Sequence, residues 1–130
     1  MEKMRVLLVD DEIEFVSALA ERLNLRGFDT ATATSGEEAL QKVAASPPHV
    51  VLLDMLMPGM NGLEVLTRIK RDHPEIKVIL LTGRGSWDGI QGIREGAYDC
   101  LMKPIQIEEL MQIMAGAVEG SKEERPGEGE

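Results

Sequence analysis

The sequence predicts an α/β protein, a doubly wound (βα)5 unit around a five-stranded parallel sheet. Two observations predict it. Apolar runs of strand length at Met4–Val9, Val50–Leu53 and Ile76–Leu81 lack polar alternation (Arg5 and Lys77 apart), the pattern of strands buried on both faces. Between such runs the apolar period changes to helical spacing, so that strands and helices alternate with short connections. Crossovers of this kind are right-handed and give a parallel sheet covered by helices on both sides.

Each element follows from its own residues. Met4–Val9 is closed by Asp10, Asp11 and Glu12. From Ile13 to Leu25 a helix is expected, with Val16, Leu19, Ala20 and Leu23 on its inner face and Gly27 as the residue just past its end. Phe28–Ala33 is more polar and suits an edge strand. Ser35 and Glu38 have the capping-box spacing, Ala39, Leu40 and Val43 give the following helix a short apolar face, and Ser46-Pro47-Pro48 stops it. His49 leads into Val50–Leu53. Asn61 and Glu64 repeat the capping spacing ahead of a helix to about Arg71, striped by Leu63, Leu66 and Ile69.

Asp72-His73-Pro74 is a turn into Ile76–Leu81, and Thr82–Ser86 is a glycine-rich loop at the end of that strand. The helix expected from about Trp87 to Glu95 contains Gly89 and Gly92, each costing roughly 1 kcal/mol of helix propensity, and is the least stable element. Gly96 closes it. Tyr98–Met102 is a short fifth strand ending at Lys103-Pro104. The last helix runs from about Gln106 to Val118, with Glu108 and Glu109 in its first turn and Leu110, Ile113, Met114 and Val118 inward. Residues 1–120 form one domain on this reading. Residues 121–130, charged and glycine-rich, form an acidic tail expected to be disordered.

A chain of 130 residues with 43% apolar residues can bury one real core and not two. Its net charge of -9 argues against nucleic acid or an anionic membrane as a direct partner. The single cysteine, Cys100, forms no internal disulfide and fits a reducing compartment, and no long apolar segment follows the opening MEKMRVLLVDD, so a cytoplasmic location is expected. His49, before a strand, and His73, in a turn, do not suggest a shared metal site. Cys100 reads as a buried small hydrophobe, with weak room for reactivity from its nearness to Lys103.

Chemistry is concentrated where such sheets place it, outside the carboxyl ends of the strands. Asp10 and Asp11 follow the first strand, Asp54 the third, Thr82 the fourth and Lys103 the fifth. An acid ending an apolar strand is costly unless something pairs with it. Three carboxylates on one rim need a counter-charge, and a hard divalent cation such as Mg²⁺ takes oxygen ligands of this kind. Lys103 adds a mobile positive charge and Thr82 a hydroxyl donor. This set suits phosphoryl transfer, and a carboxylate can itself be the nucleophile. A small Mg²⁺-dependent phosphohydrolase is an alternative. Against it, the chain has no Walker loop, no G-x-G-x-x-G after a strand and little length left for a substrate pocket.

From Met4 to Val118 the chain closely resembles the receiver domain of bacterial two-component response regulators, through LLVDDE, LLDMLMPGMNG, LLTG and GAYDCLMKP. The GAYD segment is most similar to receivers of the nitrogen-regulator type. The resemblance implies the flavodoxin-like strand order 2-1-3-4-5, and makes Asp54 the acceptor of a phosphoryl group from a sensor kinase phosphohistidine. It implies Mg²⁺, or Mn²⁺ in its place, on Asp10, Asp11, Asp54 and the backbone carbonyl of Leu56. Thr82 and Lys103 would hold phosphoryl oxygens, the Lys103-Pro104 bond would be cis, and Arg84 would tune loss of the phosphate to water.

The partners it implies are a sensor histidine kinase or phosphotransfer protein, a downstream output domain or protein, and a second copy of the chain as a homodimer. No independent small-molecule turnover is expected. One departure concerns the aromatic residue usual three positions before the lysine. Here Cys100 stands there, with Tyr98 two residues earlier. Arg84, Trp87, Tyr98 and Cys100 are therefore the candidate switch or partner surface, with Trp87 either a contact residue or a packing one. A competing class is an interaction module that uses the fold without phosphorylation. The sequence leaves open whether the chain stands alone or belongs to a longer regulator.

Overall fold

The computed structural model describes residues 3–57, 59–83 and 88–119, with 88–90 and 119 described by backbone alone. Ten elements alternate: β1 (Arg5–Val9), α1 (Ile13–Leu25), β2 (Asp29–Ala33), α2 (Gly36–Ala45), β3 (Val50–Asp54), α3 (Gly62–Asp72), β4 (Lys77–Thr82), α4 (Asp88–Arg94), β5 (Asp99–Met102) and α5 (Ile107–Glu119). The strands pair in parallel in the order β2-β1-β3-β4-β5, as expected. Alternate residues of the central strands feed two cores. Leu7, Val9, Val51, Leu53, Val78 and Leu80 pack with α2 and α3. Val6, Leu8, Val50, Leu52, Ile79 and Leu81 pack with α1 and α5. Because both faces are covered, β3 and all but the first residue of β1 are buried, which is why these strands read as unbroken apolar runs.

The caps form largely as their spacing predicts. Ser35 accepts the Glu38 N–H at 3.1 Å and Asn61 accepts the Glu64 N–H at 2.9 Å. The Glu38 carboxylate reaches one residue further back than a capping box requires, to the Thr34 N–H at 2.8 Å. Gly27, just beyond α1, has φ +96°, a conformation that favours glycine.

Two inner faces and two strand ends are corrected in detail. In α3, Val65 is fully buried and Leu63 only partly, because Asn61 caps the helix and starts its rotation so that residues 62, 65, 66 and 69 face the sheet. In α5, Ile107 and Ala117 are buried while Ile113 and Val118 lie at the margin of the core. Asp54 and Thr82, expected just beyond their strands, are the last residues of β3 and β4. The predicted disordered tail, Trp87, Arg84 and Pro58 lie outside the described residues.

Candidate functional site

The carboxyl ends of β1, β3, β4 and β5 meet on one rim. The register pairs Val9 with Leu53, Leu53 with Leu80 and Thr82 with Met102, so Asp10, Asp54, Thr82 and Lys103 come together within one turn of their strand ends. Asp10, Asp54 and Thr82 are the buried polar residues of the described chain. Asp10, Asp11 and Asp54 each offer a carboxylate oxygen within 4.8 Å of the others. A cavity of about 310 Å³ opens on this cluster, lined by Asp11, Glu12, Asp54, Leu56, Gly83 and Lys103.

Local structure fixes the Asp54 and Asp10 carboxylates. The Leu56 N–H donates to Asp54 Oδ1 at 3.2 Å, and the Glu12 N–H donates to Asp10 Oδ1 at 3.0 Å. Both are short turns in which the acid caps its own backbone two residues on. Gly59, with φ +81°, bends the chain after Asp54. Gly62 then brings the start of α3 against the Asp54–Met55 backbone, where a Cβ would lie 2.7 Å from Met55 Cα and 2.8 Å from the Asp54 carbonyl oxygen.

Lys103 supplies the counter-charge. Its Nζ lies 2.8 Å from Asp10 Oδ2, 3.2 Å from Glu12 Oε1 and 3.7 Å from Asp54 Oδ1. The Lys103-Pro104 bond beneath it is cis. Burial opposes the ammonium, but its hydrogen bond to Asp10 and the charges of Asp54 and Asp10 outweigh that and hold its pKa above the ordinary value. Asp54 goes the other way for a carboxylate. Burial, reinforced by the neighbouring Asp10, overcomes the Leu56 N–H and Lys103 and pushes its pKa up to about 6.

Thr82 does not line the cavity; its hydroxyl donates to the Leu101 carbonyl at 3.4 Å, across to β5. Cys100 pairs in register with Leu80 and packs against the α2–α3 core. Burial and Asp99 push its thiol up, which disfavours the reactive thiolate at this half-buried cysteine. Tyr98 precedes β5 at the level of Val78, packs with the α1–α5 core and brings its hydroxyl beside Gly116. That is four residues, roughly 13 Å, down the sheet from Thr82, so the two are not brought together. His49 accepts the Arg5 N–H through Nδ1 at the opposite end of the sheet and takes no part in the site.

The sequence reading missed two residues. Glu12 was read only as closing the first strand, and Phe15 was not singled out; they flank Lys103, whose Nζ lies 4.9 Å from the Phe15 ring centroid. The acidic run before a helix was a signal for the first. Nothing local marked the second.

A parallel sheet carrying an acid cluster, a lysine and a threonine at its carboxyl rim fits a domain that handles a phosphoryl group. The chain belongs to the response regulator receiver domain family, whose model matches residues 6–115. It is 45% identical over 108 residues to a transcriptional regulatory protein, the CpxR homolog of Haemophilus influenzae, covering 82% of this chain and 47% of that protein. It is 36% identical to the nitrogen assimilation regulatory protein NtrX of Azorhizobium caulinodans, covering 88% of this chain and 26% of that one. Among solved structures, NtrX from Brucella abortus in complex with ATP superposes with a TM-score of 0.85 at 35% identity, over 91% of this chain and 27% of that chain. A receiver domain protein from Clostridium thermocellum gives a TM-score of 0.85 at 32% identity, over 91% and 96% of the two chains. The chain spans about half or less of the two curated relatives named here. The likeness to NtrX agrees with the nitrogen-regulator character of GAYD. Among the described residues, no helix is long and apolar enough to cross a membrane.

Proposed function

We propose that Asp54 is the phosphoacceptor of this receiver domain and that it takes its phosphoryl group from a phosphohistidine on a sensor kinase or phosphotransfer protein. The observation that carries this is the convergence of Asp10, Asp11 and Asp54 within 4.8 Å beside the Lys103 ammonium. In the transfer, an Asp54 carboxylate oxygen forms a bond to phosphorus as the bond from phosphorus to the histidine nitrogen breaks, and that nitrogen keeps the electron pair.

The residues present fit a hard divalent ion. Asp10, Asp11 and Asp54 would hold Mg²⁺, or Mn²⁺, with the Leu56 carbonyl, and the ion would neutralise charge on the phosphoryl oxygens. Lys103 would pair with one of those oxygens. Thr82 would give up its long bond to Leu101 to donate to another, and that exchange is the start of a switch through the loop and α4. The domain on this reading is residues 1–120, with 121–130 an acidic tail, and its role is in the cytoplasm without independent turnover of a small molecule. Its partners are the kinase, an output domain or protein and a second copy.

Incubation with a small phosphodonor and Mg²⁺ tests the assignment. A mass gain of one phosphoryl group that Asp54→Ala abolishes is expected. No adduct, together with no acceptance from any phosphohistidine donor, would favour an interaction module that works unphosphorylated. The switch is tested separately by amide exchange with beryllofluoride. Unchanged protection from Thr82 to Glu95 at saturation would sink it.

A further inference from the structure

We infer that Glu12 and Phe15 form a resting cradle for Lys103 that holds its ammonium back from Asp54 and so sets how readily a phosphoryl group is captured. The inference rests on the assignment of Asp54 as acceptor. Its basis is an asymmetry in the contacts of Lys103. Nζ is within hydrogen-bond distance of Asp10 Oδ2 at 2.8 Å and Glu12 Oε1 at 3.2 Å, but 3.7 Å from Asp54 Oδ1, beyond a hydrogen bond. On its other side the ammonium lies 4.9 Å from the Phe15 ring centroid, within cation–π range.

These contacts differ in kind. Asp10 is fully buried, and its Oδ1 is already held by the Glu12 N–H, so Oδ2 is the oxygen for which Lys103 and a divalent cation compete. Lys103 would yield Asp10 to that cation but keep Glu12 and Phe15, which lie outside the acid cluster. The Glu12 side chain is 66% exposed, so its ion pair costs little to break, and the lysine stem is long enough to swing. Lys103 therefore has two stations, one on Glu12 and Phe15 and one on the acceptor. A ligand on Asp54 binds through the second alone. Its apparent affinity falls by the fraction of molecules in which the lysine is parked on the first. Glu12 and Phe15 are positioning residues that act through Lys103.

The test is the affinity of beryllofluoride at saturating Mg²⁺. Glu12→Gln and Phe15→Leu should each tighten binding about two- to fivefold, the size of an exposed ion pair or a cation–π contact. In a Lys103→Met background both gains should vanish. A gain from Glu12→Gln that persists without the lysine would mean that its charge alone repels the anion, and would overturn the cradle. Where Lys103→Met binds too weakly to measure, the charge-neutral Phe15→Leu decides, and unchanged or weaker binding overturns the inference. Wild-type binding that Asp54→Ala leaves intact would instead bring down the acceptor assignment itself.

Discussion

Gly62, the first residue of α3, lies against the backbone of Asp54, so close that a Cβ would stand 2.8 Å from the Asp54 carbonyl oxygen. The neighbour is backbone, which cannot swing aside as a side chain would. Gly62→Ala is expected to cost about 1–3 kcal/mol of stability, the range for forced overpacking, and to slow phosphorylation by displacing the carboxylate. Gly83→Ala is the control. It is also on the rim, but a Cβ there meets nothing within 4 Å, and it should change stability by less than about 1 kcal/mol. Urea denaturation of both variants checks the pair, and equal losses would refute the close-approach argument.

Asp54 gives the metal-free protein a pH dependence of definite sign. Its pKa rises from an ordinary 3.8 to about 6 on folding, so the native state binds more protons than the unfolded chain between those values. Stability from this group is therefore greatest below pH 3.8, falls as pH rises to about 6, and is level above. Asp54→Asn should remove that fall and make the metal-free protein more stable at pH 7 by roughly 1–2 kcal/mol after allowance for screening. Mg²⁺ should stabilise the wild type and narrow the gap. Chelator-treated samples denatured at several pH values supply the measurement, and an Asp54→Asn variant less stable than wild type at pH 7 contradicts it.

The rim itself was legible because strand ends are. An apolar run followed by an acid places that acid at the carboxyl edge once the sheet is known to be parallel, and this located Asp10, Asp54, Thr82 and Lys103 together. What could not be read was which way each side chain turns. Lys103 can pair with Asp10, Glu12 or Asp54 at equal cost in sequence, and only the rim geometry favours the first two. Tyr98, two residues before Cys100, is a candidate for the switch or partner surface whose depth in the sheet depends on where β5 starts. A strand starting at Asp99 instead leaves it among α5 residues, low on the sheet.

Thr30 in β2 has a buried hydroxyl with no hydrogen-bond partner, while its N–H is satisfied by Asn24 Oδ1 at 2.8 Å. A desolvated, unpaired hydroxyl is a cost, and valine has the same shape without it. Thr30→Val is expected to stabilise by roughly 0.5–1.5 kcal/mol, the net worth of about one hydrogen bond. A rise in the thermal midpoint with phosphorylation unaltered is the expected result; a drop would show that the hydroxyl has a partner in solution.

Lys70 sits half-buried in α3 and donates to the carbonyls of Pro74 and Ile76, both at 2.8 Å, tying the helix to the turn that starts β4. Burial and the nearby Lys77 hold its pKa below the ordinary lysine value, and its contribution here is hydrogen bonding to these two carbonyls. Lys70→Met keeps most of the stem and removes both bonds. A loss of about 1–3 kcal/mol is expected, and a neutral result would show that water replaces the ammonium without cost.

Gly92 was legible as a weak point of α4, since glycine costs helix propensity, but the structure gives it a second meaning. A Cβ at 92 would overlap Cδ1 of Leu80 on β4 and lie 3.6 Å from Leu66 on α3. Propensity alone makes Gly92→Ala favourable by roughly 1 kcal/mol. Packing opposes it, because the added methyl must push α4 off the sheet or force Leu80 out of its rotamer, at about 1–3 kcal/mol. Packing therefore wins, and the single variant should be destabilised despite its better helix. Leu80→Val removes the obstructing methyl group. The double variant Gly92→Ala/Leu80→Val should recover more stability than the two single changes predict when added. Because α4 follows Thr82, the end of β4 proposed to sense the phosphoryl group on Asp54, the displaced helix should also shift amide protection from Gln91 to Glu95 without any phosphoryl group present. Additive stabilities, with protection unchanged, would mean that α4 tolerates the methyl group and that Gly92 is there for flexibility alone.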